Sequence, residues 1–243
     1  MKRILLTPAL LLMGVCAGMA QTSSGLTASA ELAAAAEMES LIEAVIEAEQ
    51  GDSDVNRYTT LTEEDYIQVA DELGLDVATI KAVVKIEAGA KLEGFWAPGV
   101  PVANYSQTLF NKYSKKTKGR KVPDGKVPEG LKGYALKEWT ALVDARKKNA
   151  DAADMGTYWG MFQIGGGHYK LCGCESVEEM VKKMCESEHS QLELFATFIK
   201  NSGMIESLRK KDWAAFARKY NGPAYAKRGY HTRMAKEYAK YSK

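Results

Sequence analysis

The sequence predicts a mainly helical protein, a single all-α domain with long loops and an N-terminal helical extension. Three observations predict it. Apolar residues recur at helical spacing in segment after segment, and strand signals are sparse. Most of the prolines and many glycines and lysines fall between 89 and 133, which reads as long irregular connection rather than a second domain. A chain of 243 residues allows one domain of ordinary size plus short extras, and no internal repeat is visible.

The elements follow in order. Residues 1–20 have a basic start at Lys2 and Arg3, an apolar run over 4–15, and the small residues Ala17, Gly18 and Ala20. This is the pattern of a secretory signal peptide cut near Ala20, so the mature chain is expected to be exported, periplasmic or secreted. The run is too short to span a bilayer, and no other segment is apolar enough to do so. A lipoprotein anchor at Cys16 is the rival reading. It is disfavoured because Val15 precedes the cysteine, where a small residue is required.

Residues 21–57 form a Ser/Thr/Gly-rich linker over 21–27, then an Ala/Glu-rich helix over 28–50, broken by turn formers over 51–56. The main domain is expected over 58–243. Thr62 with Asp65 resembles a capping box, opening a helix that Gly74 closes. Asp76 caps a second helix over 77–88. Further helices are expected over 134–148, 176–186, 188–201, 203–210, 212–220 and 232–242.

The net charge of +2 conceals an asymmetry. Residues 21–60 carry eight acids and one arginine, leaving a basic domain with a charge of +7 over 61–243. Such a domain suits an anionic polymer, although the same charge also serves solubility. Cys172, Cys174 and Cys185 remain after removal of the leader. In an oxidising compartment one disulfide is expected, using Cys185, with the third thiol free. Cys-x-Cys with one distant cysteine lacks a fourth zinc ligand, and His168, His189 and His231 sit in separate segments, so no metal site is expected.

The chemistry centres on the second helix. Ile80, Val83, Val84 and Glu87 lie at i, i+3, i+4 and i+7, which turns Glu87 towards the interior. A desolvated carboxyl keeps its proton to higher pH, and a general acid for glycoside cleavage needs that property. A lone glutamate at a helix end more often swings out to solvent, so two further segments decide the matter. One is Met155-Gly-Thr-Tyr-Trp-Gly-Met-Phe-Gln-Ile164 followed by Gly165, Gly166 and Gly167. It offers Tyr158 and Trp159 to stack on sugar rings, Gln163 to bond their hydroxyls, and glycines that let backbone approach closely. The other is Phe216-Ala-Arg-Lys-Tyr-Asn-Gly-Pro223, where Tyr220 and Asn221 close a helix before a turn.

A helix-end Glu, then Gly-x-x-Gln-Ile, then Tyr-Asn-Gly, in that order, resembles the goose-type lysozyme and lytic transglycosylase superfamily. The chain is more closely similar to the N-acetylmuramidase family of phage endolysins and bacterial wall hydrolases. Leu61-Thr-Glu-Glu-Asp-Tyr, Ile80-Lys-Ala-Val, Trp159-Gly-Met-Phe-Gln-Ile164, Tyr169-Lys-Leu-Cys-Gly, Asp212-Trp-Ala-Ala-Phe-Ala-Arg and Tyr220-Asn-Gly-Pro carry the likeness, which covers about 58–243. The resemblance implies a lysozyme-like helical fold with a long groove and cleavage of peptidoglycan between N-acetylmuramic acid and N-acetylglucosamine. Glu87 would be the catalytic acid, Tyr158, Trp159, Gln163, Tyr220 and Asn221 would bind substrate, and no cofactor would be needed. The implied partner is peptidoglycan and not nucleic acid.

Two departures stand out. Glu87 is followed by Ala-Gly-Ala where the family has Ser, and the family's Phe-Glu-x-His reads Tyr105-Ser-Gln-Thr108 here. The second carboxylate that an inverting hydrolase uses to activate water is thus missing from that loop. Glu93, Asp151 and Asp154 are the alternatives, each more readily read as a solvated surface charge. A lytic transglycosylase, which needs a single acid, and a wall-binding module without turnover are the competing functions. Trp96, Trp139 and Trp213 are expected in the core or groove wall.

Overall fold

The capping box forms as expected and opens the first described helix. The computed structural model describes residues 61–89 and 93–243. The expected signal peptide, linker and 28–50 helix lie outside the described residues. In helix α1 (Glu63–Leu73) the Thr62 side chain accepts from Asp65 N–H while Asp65 reaches back to Thr62 N–H, and Gly74 closes the helix at φ 62°. Helix α2 (Val77–Glu87) starts on the Asp76 carboxylate, which accepts from Thr79 N–H at 2.8 Å. Thr79, Ile80, Ala82, Val83, Val84 and Ile86 are all buried, so α2 is covered on more than one side. Each of the valine and isoleucine side chains contributes about 1.5–3 kcal/mol by leaving water.

The 93–133 region is more ordered than its composition suggests. It holds strands β1 (Phe95–Ala97), β2 (Val100–Pro101) and β3 (Ala103–Tyr105), then helix α3 (Gln107–Ser114). Ser106, which stands in the expected loop-carboxylate stretch, instead caps α3 by accepting from Leu109 N–H. Strands of two or three residues leave almost no periodic trace, and α3 is only two turns long.

Helix α4 runs Gly133–Met155, past the expected end at 148. The backbone does break there, at Asn149 (φ −160°, ψ 96°). Its side-chain oxygen accepts from Ala152 N–H and its amide donates to Thr117 C=O, each at 3.0 Å, so it ends one helical run and caps the next. Strands β4 (Thr157–Trp159) and β5 (Ile164–Gly165) complete a three-stranded antiparallel sheet in the order β3-β4-β5. Helices α5 (Val177–Met184), α6 (Glu188–Asn201), α7 (Ile205–Arg209), α8 (Trp213–Asn221) and α9 (Tyr230–Tyr241) follow close to their expected positions. Helix α9 packs on both α2 and α8, which brings the C-terminal segment against the helix that carries Glu87.

The expected disulfide is absent. Cys172, Cys174 and Cys185 are all free thiols. Cys185 sits in the electrostatic neighbourhood of Arg146 and Asp154, whereas Cys172 neighbours Cys174 and Tyr220, so the thiols occupy different surroundings. Burial pushes Cys172 up to about 12 and Cys185 up to about 11, which leaves both as inert thiols at neutral pH.

Buried polar groups on α6 tie the loop after α2 to the rest. Glu188 accepts from Gly94 N–H at 3.0 Å, and burial pushes its carboxyl up to about 7. Gln191 is fully buried, donates to Gly94 C=O and Met184 C=O, and accepts from Met161 N–H at 2.8 Å. Gln191→Met keeps the volume but strands the buried Met161 N–H. The expected loss is about 2 kcal/mol of unfolding free energy, read from a shifted urea midpoint at unchanged slope.

Candidate active site

Glu87 is the last residue of α2, and the apolar stripe that buries the helix carries its side chain inward. Its Oε1 accepts from the Asn221 amide at 2.8 Å, a bond spanning 134 positions of sequence. Burial pushes the Glu87 carboxyl up to about 7 from an ordinary 4.5, against the opposing pull of the Asn221 amide and the positive charge of Arg233. Desolvation therefore outweighs both stabilisers of the ionised form.

Asn221 is placed by the end of α8, where Gly222 turns the chain at φ 76°. Beside it, the Tyr220 hydroxyl donates to Phe162 C=O at 2.9 Å. The Tyr220 ring stacks on Phe216 at 5.8 Å and meets Phe195 edge-on at 5.5 Å, while Phe195 stacks on Phe162 at 4.1 Å. This aromatic group fixes α8 against the 159–164 segment. Burial, and next the Glu87 carboxylate, hold the Tyr220 phenol far above its usual range, so it stays neutral and donates.

Gln163 follows Phe162 and adopts φ 51°, a left-handed conformation that costs a non-glycine residue on the order of 1 kcal/mol. Its amide donates to Gly160 C=O at 2.8 Å and accepts from Asn104 Nδ2. The Asn104 side-chain oxygen in turn accepts from the Tyr134 hydroxyl at 2.6 Å. Neither Asn104 nor Tyr134 is singled out by the sequence. The Ala103-Asn104-Tyr105 alternation is a weak strand signal, and Tyr134 looks like any residue of a helix start.

The structure separates the aromatic pair. Tyr158 is 42% exposed, whereas Trp159 is 0% exposed. Adjacent residues on a strand face opposite sides, so only one of the two can line a groove. Trp159 faces the core, where its indole donates to Asp154 C=O at 2.9 Å, meets Trp139 edge-on and lies under Arg146. The expectation that Trp159 stacks on sugar is corrected on this ground. Packing alone requires glycine at 166 and 167. A Cβ on Gly166 would lie 2.0 Å from Asp154 C=O, and one on Gly167 would lie 2.1 Å from the Tyr113 hydroxyl.

The alternative acids have other engagements. Asp154 is buried and paired with Arg146 at 2.6 Å, and Asp151 lies 3.6 Å from Arg120. Glu93 is exposed, ahead of β1. Among the described residues, no group of His, Cys, Asp and Glu is arranged to hold a metal ion, and none of the helices is long and apolar enough to cross a membrane.

The N-acetylmuramidase family profile matches residues 76–242. The crystal structure of the Burkholderia AP3 phage endolysin is similar with a TM-score of 0.63 and 33% identity, over 75% of this chain and 70% of that one. No curated protein matches.

The raised carboxyl has a consequence for stability. Between about 4.5 and about 7 the folded chain binds more protons at Glu87 than the unfolded chain does, so this group's contribution falls as pH rises through that window. Glu87→Gln removes the penalty. The variant is expected to be more stable than wild type by roughly 2 kcal/mol at pH 8, the shift discounted for partial exposure. The two should match at pH 4, and urea unfolding at both values checks this.

Proposed function

The chain belongs to the N-acetylmuramidase family, and from that premise we propose that it hydrolyses the glycan strand between N-acetylmuramic acid and N-acetylglucosamine with Glu87 as general acid. The observation that carries the reading is a carboxyl raised to about 7 by burial and held by a single amide, at the end of a helix and beside Tyr220. Near neutrality such a group is still partly protonated and can donate to the glycosidic oxygen as the bond to the anomeric carbon breaks. Water then adds at the anomeric carbon, and the proton it loses restores the acid. Asn221 holds the carboxyl in position and stabilises the carboxylate left after transfer. Tyr220, through Phe162, and Gln163 set the facing wall, with Tyr158 presenting the exposed ring.

Residues 58–243 form the catalytic domain in this reading. Residues 1–20 direct export and are removed near Ala20, delivering the enzyme to peptidoglycan. The basic domain suits an anionic wall.

One observation favours a second reading, intramolecular closure by the sugar's own hydroxyl as in a lytic transglycosylase. Ser106 caps a helix in the loop-carboxylate stretch, and Asp151 and Asp154 are turned to arginines. Mass spectrometry of muropeptides released from purified wall separates the two. The expected result is reducing muramic acid ends from wild type and at least a hundredfold less material from Glu87→Gln. Anhydro ends would establish the second route, and equal release by both chains would remove Glu87 from its role.

A pH series on the same substrate gives a further check. The acid must be protonated, so activity is expected to fall as pH rises through about 7. Asn221→Ala removes a donor that favours the ionised form, so it should move that fall to higher pH.

A further inference from the structure

We propose that Tyr134 and Trp96 form an outlying saccharide subsite, an aromatic platform that takes one N-acetylated pyranose ring of the glycan strand away from the cut. The proposal rests on the glycan-cleaving function above and extends it to residues outside the candidate catalytic group. Tyr134 is the most exposed large apolar side chain among the described residues, at 59%. An exposed tyrosine ordinarily moves freely in water. This one is fixed at two points. Its hydroxyl donates to the Asn104 side-chain oxygen at 2.6 Å, and its ring meets Trp96 edge-on, with centroids 6.2 Å apart and planes at 87°. The ring is thereby held in one orientation while much of its surface stays open. Stacking on it costs little further ordering.

The occupant follows from continuity with the candidate active site. Asn104 lies opposite Tyr158 across the β3–β4 ladder, so the two side chains share a face of the sheet. The same Asn104 donates through Nδ2 to Gln163. Gln163, Asn104 and Tyr134 thus form one hydrogen-bonded line that starts next to Phe162, whose C=O accepts from Tyr220, and ends on the exposed Tyr134 ring, with the exposed Tyr158 ring on the same sheet face as Asn104. An amide nitrogen carries two hydrogens, so Asn104 keeps one to offer a sugar hydroxyl or acetamido oxygen. Aromatic faces at intervals with amide donors between them suit a chain of pyranose rings, which are apolar on their faces and polar at their rims. The platform sits on the first turn of α4 and on β1, elements separate from α2 and α8, so it can act on binding without touching the acid.

Calorimetric titration of the uncleaving Glu87→Gln chain with chitobiose and chitohexaose tests this. Tyr134→Ala in that background is expected to weaken hexamer binding about tenfold, equivalent to about 1.4 kcal/mol, and to leave dimer binding unchanged. Tyr134→Phe keeps the ring but frees it from Asn104, and should fall between the two. On purified wall, Tyr134→Ala in the active chain should raise KM with kcat unchanged, which a merely structural role would not produce. Hexamer affinity that is equal with and without the Tyr134 ring overturns the proposal, as does failure of the Glu87→Gln chain to bind hexamer at all. Hexamer binding that depends on Tyr134 in a chain releasing nothing from wall would sink the cleavage reading and leave the platform standing. Release of muropeptides with Tyr134-independent hexamer binding would do the reverse.

Discussion

A hydrogen bond from the Asn221 amide to the Glu87 carboxyl joins two segments that nothing local in the sequence connects. Its setting gives it importance. Glu87 ends a helix whose other buried residues are apolar except Thr79, and burial raises its carboxyl towards neutrality. Left alone, a carboxyl in that position would swing out to water or become a neutral group with no fixed direction. The amide supplies the direction without supplying enough charge stabilisation to undo the shift. Arg233 acts in the same sense as the amide, so the balance between desolvation and these two groups sets where the proton leaves.

Holding that amide in place involves much of the domain. Asn221 depends on the end of α8, and α8 depends on the Phe162, Phe195, Phe216 and Tyr220 rings that lock it to the 159–164 segment. That segment is held from behind by Gln191, which also grips the loop leaving α2. Glu87, Asn221 and the 159–164 segment therefore share buried contacts, and a change on α6 reaches them through Gln191. The left-handed Gln163 fits this pattern, since its backbone cost is met by a side chain bonded at both ends.

Much of the helical framework was legible in the sequence, because the capping residues Thr62 and Asp76 precede periodic apolar runs and both cap helices. The break at Asn149 coincides with the expected end of its helix, but nothing local signalled that a second run would start there. The inward turn of Glu87 could be read from the spacing of Ile80, Val83 and Val84. The β3-β4-β5 sheet could not. Its strands are two or three residues long, too short for a period to register, so the alternation that turns Tyr158 out and Trp159 in was invisible. The same blindness hid Asn104, whose role depends on its cross-strand neighbour and on Tyr134 thirty positions away. The cysteines mislead for a related reason. Composition and compartment suggested a bridge, but pairing depends on where each thiol points, and these occupy different surroundings.

The central claim is that the side chain at 87 keeps its proton to near neutrality because the fold withholds water from it. Site-specific carbon NMR of glutamate carboxyls, titrated from pH 3 to 9, measures this directly, with Glu87→Gln used to assign the resonance and to separate it from that of Glu188. A Glu87 midpoint near 7 is the predicted result. A midpoint in the ordinary range of glutamate, about 4.3, would mean that the carboxyl is solvated, and it would contradict the account.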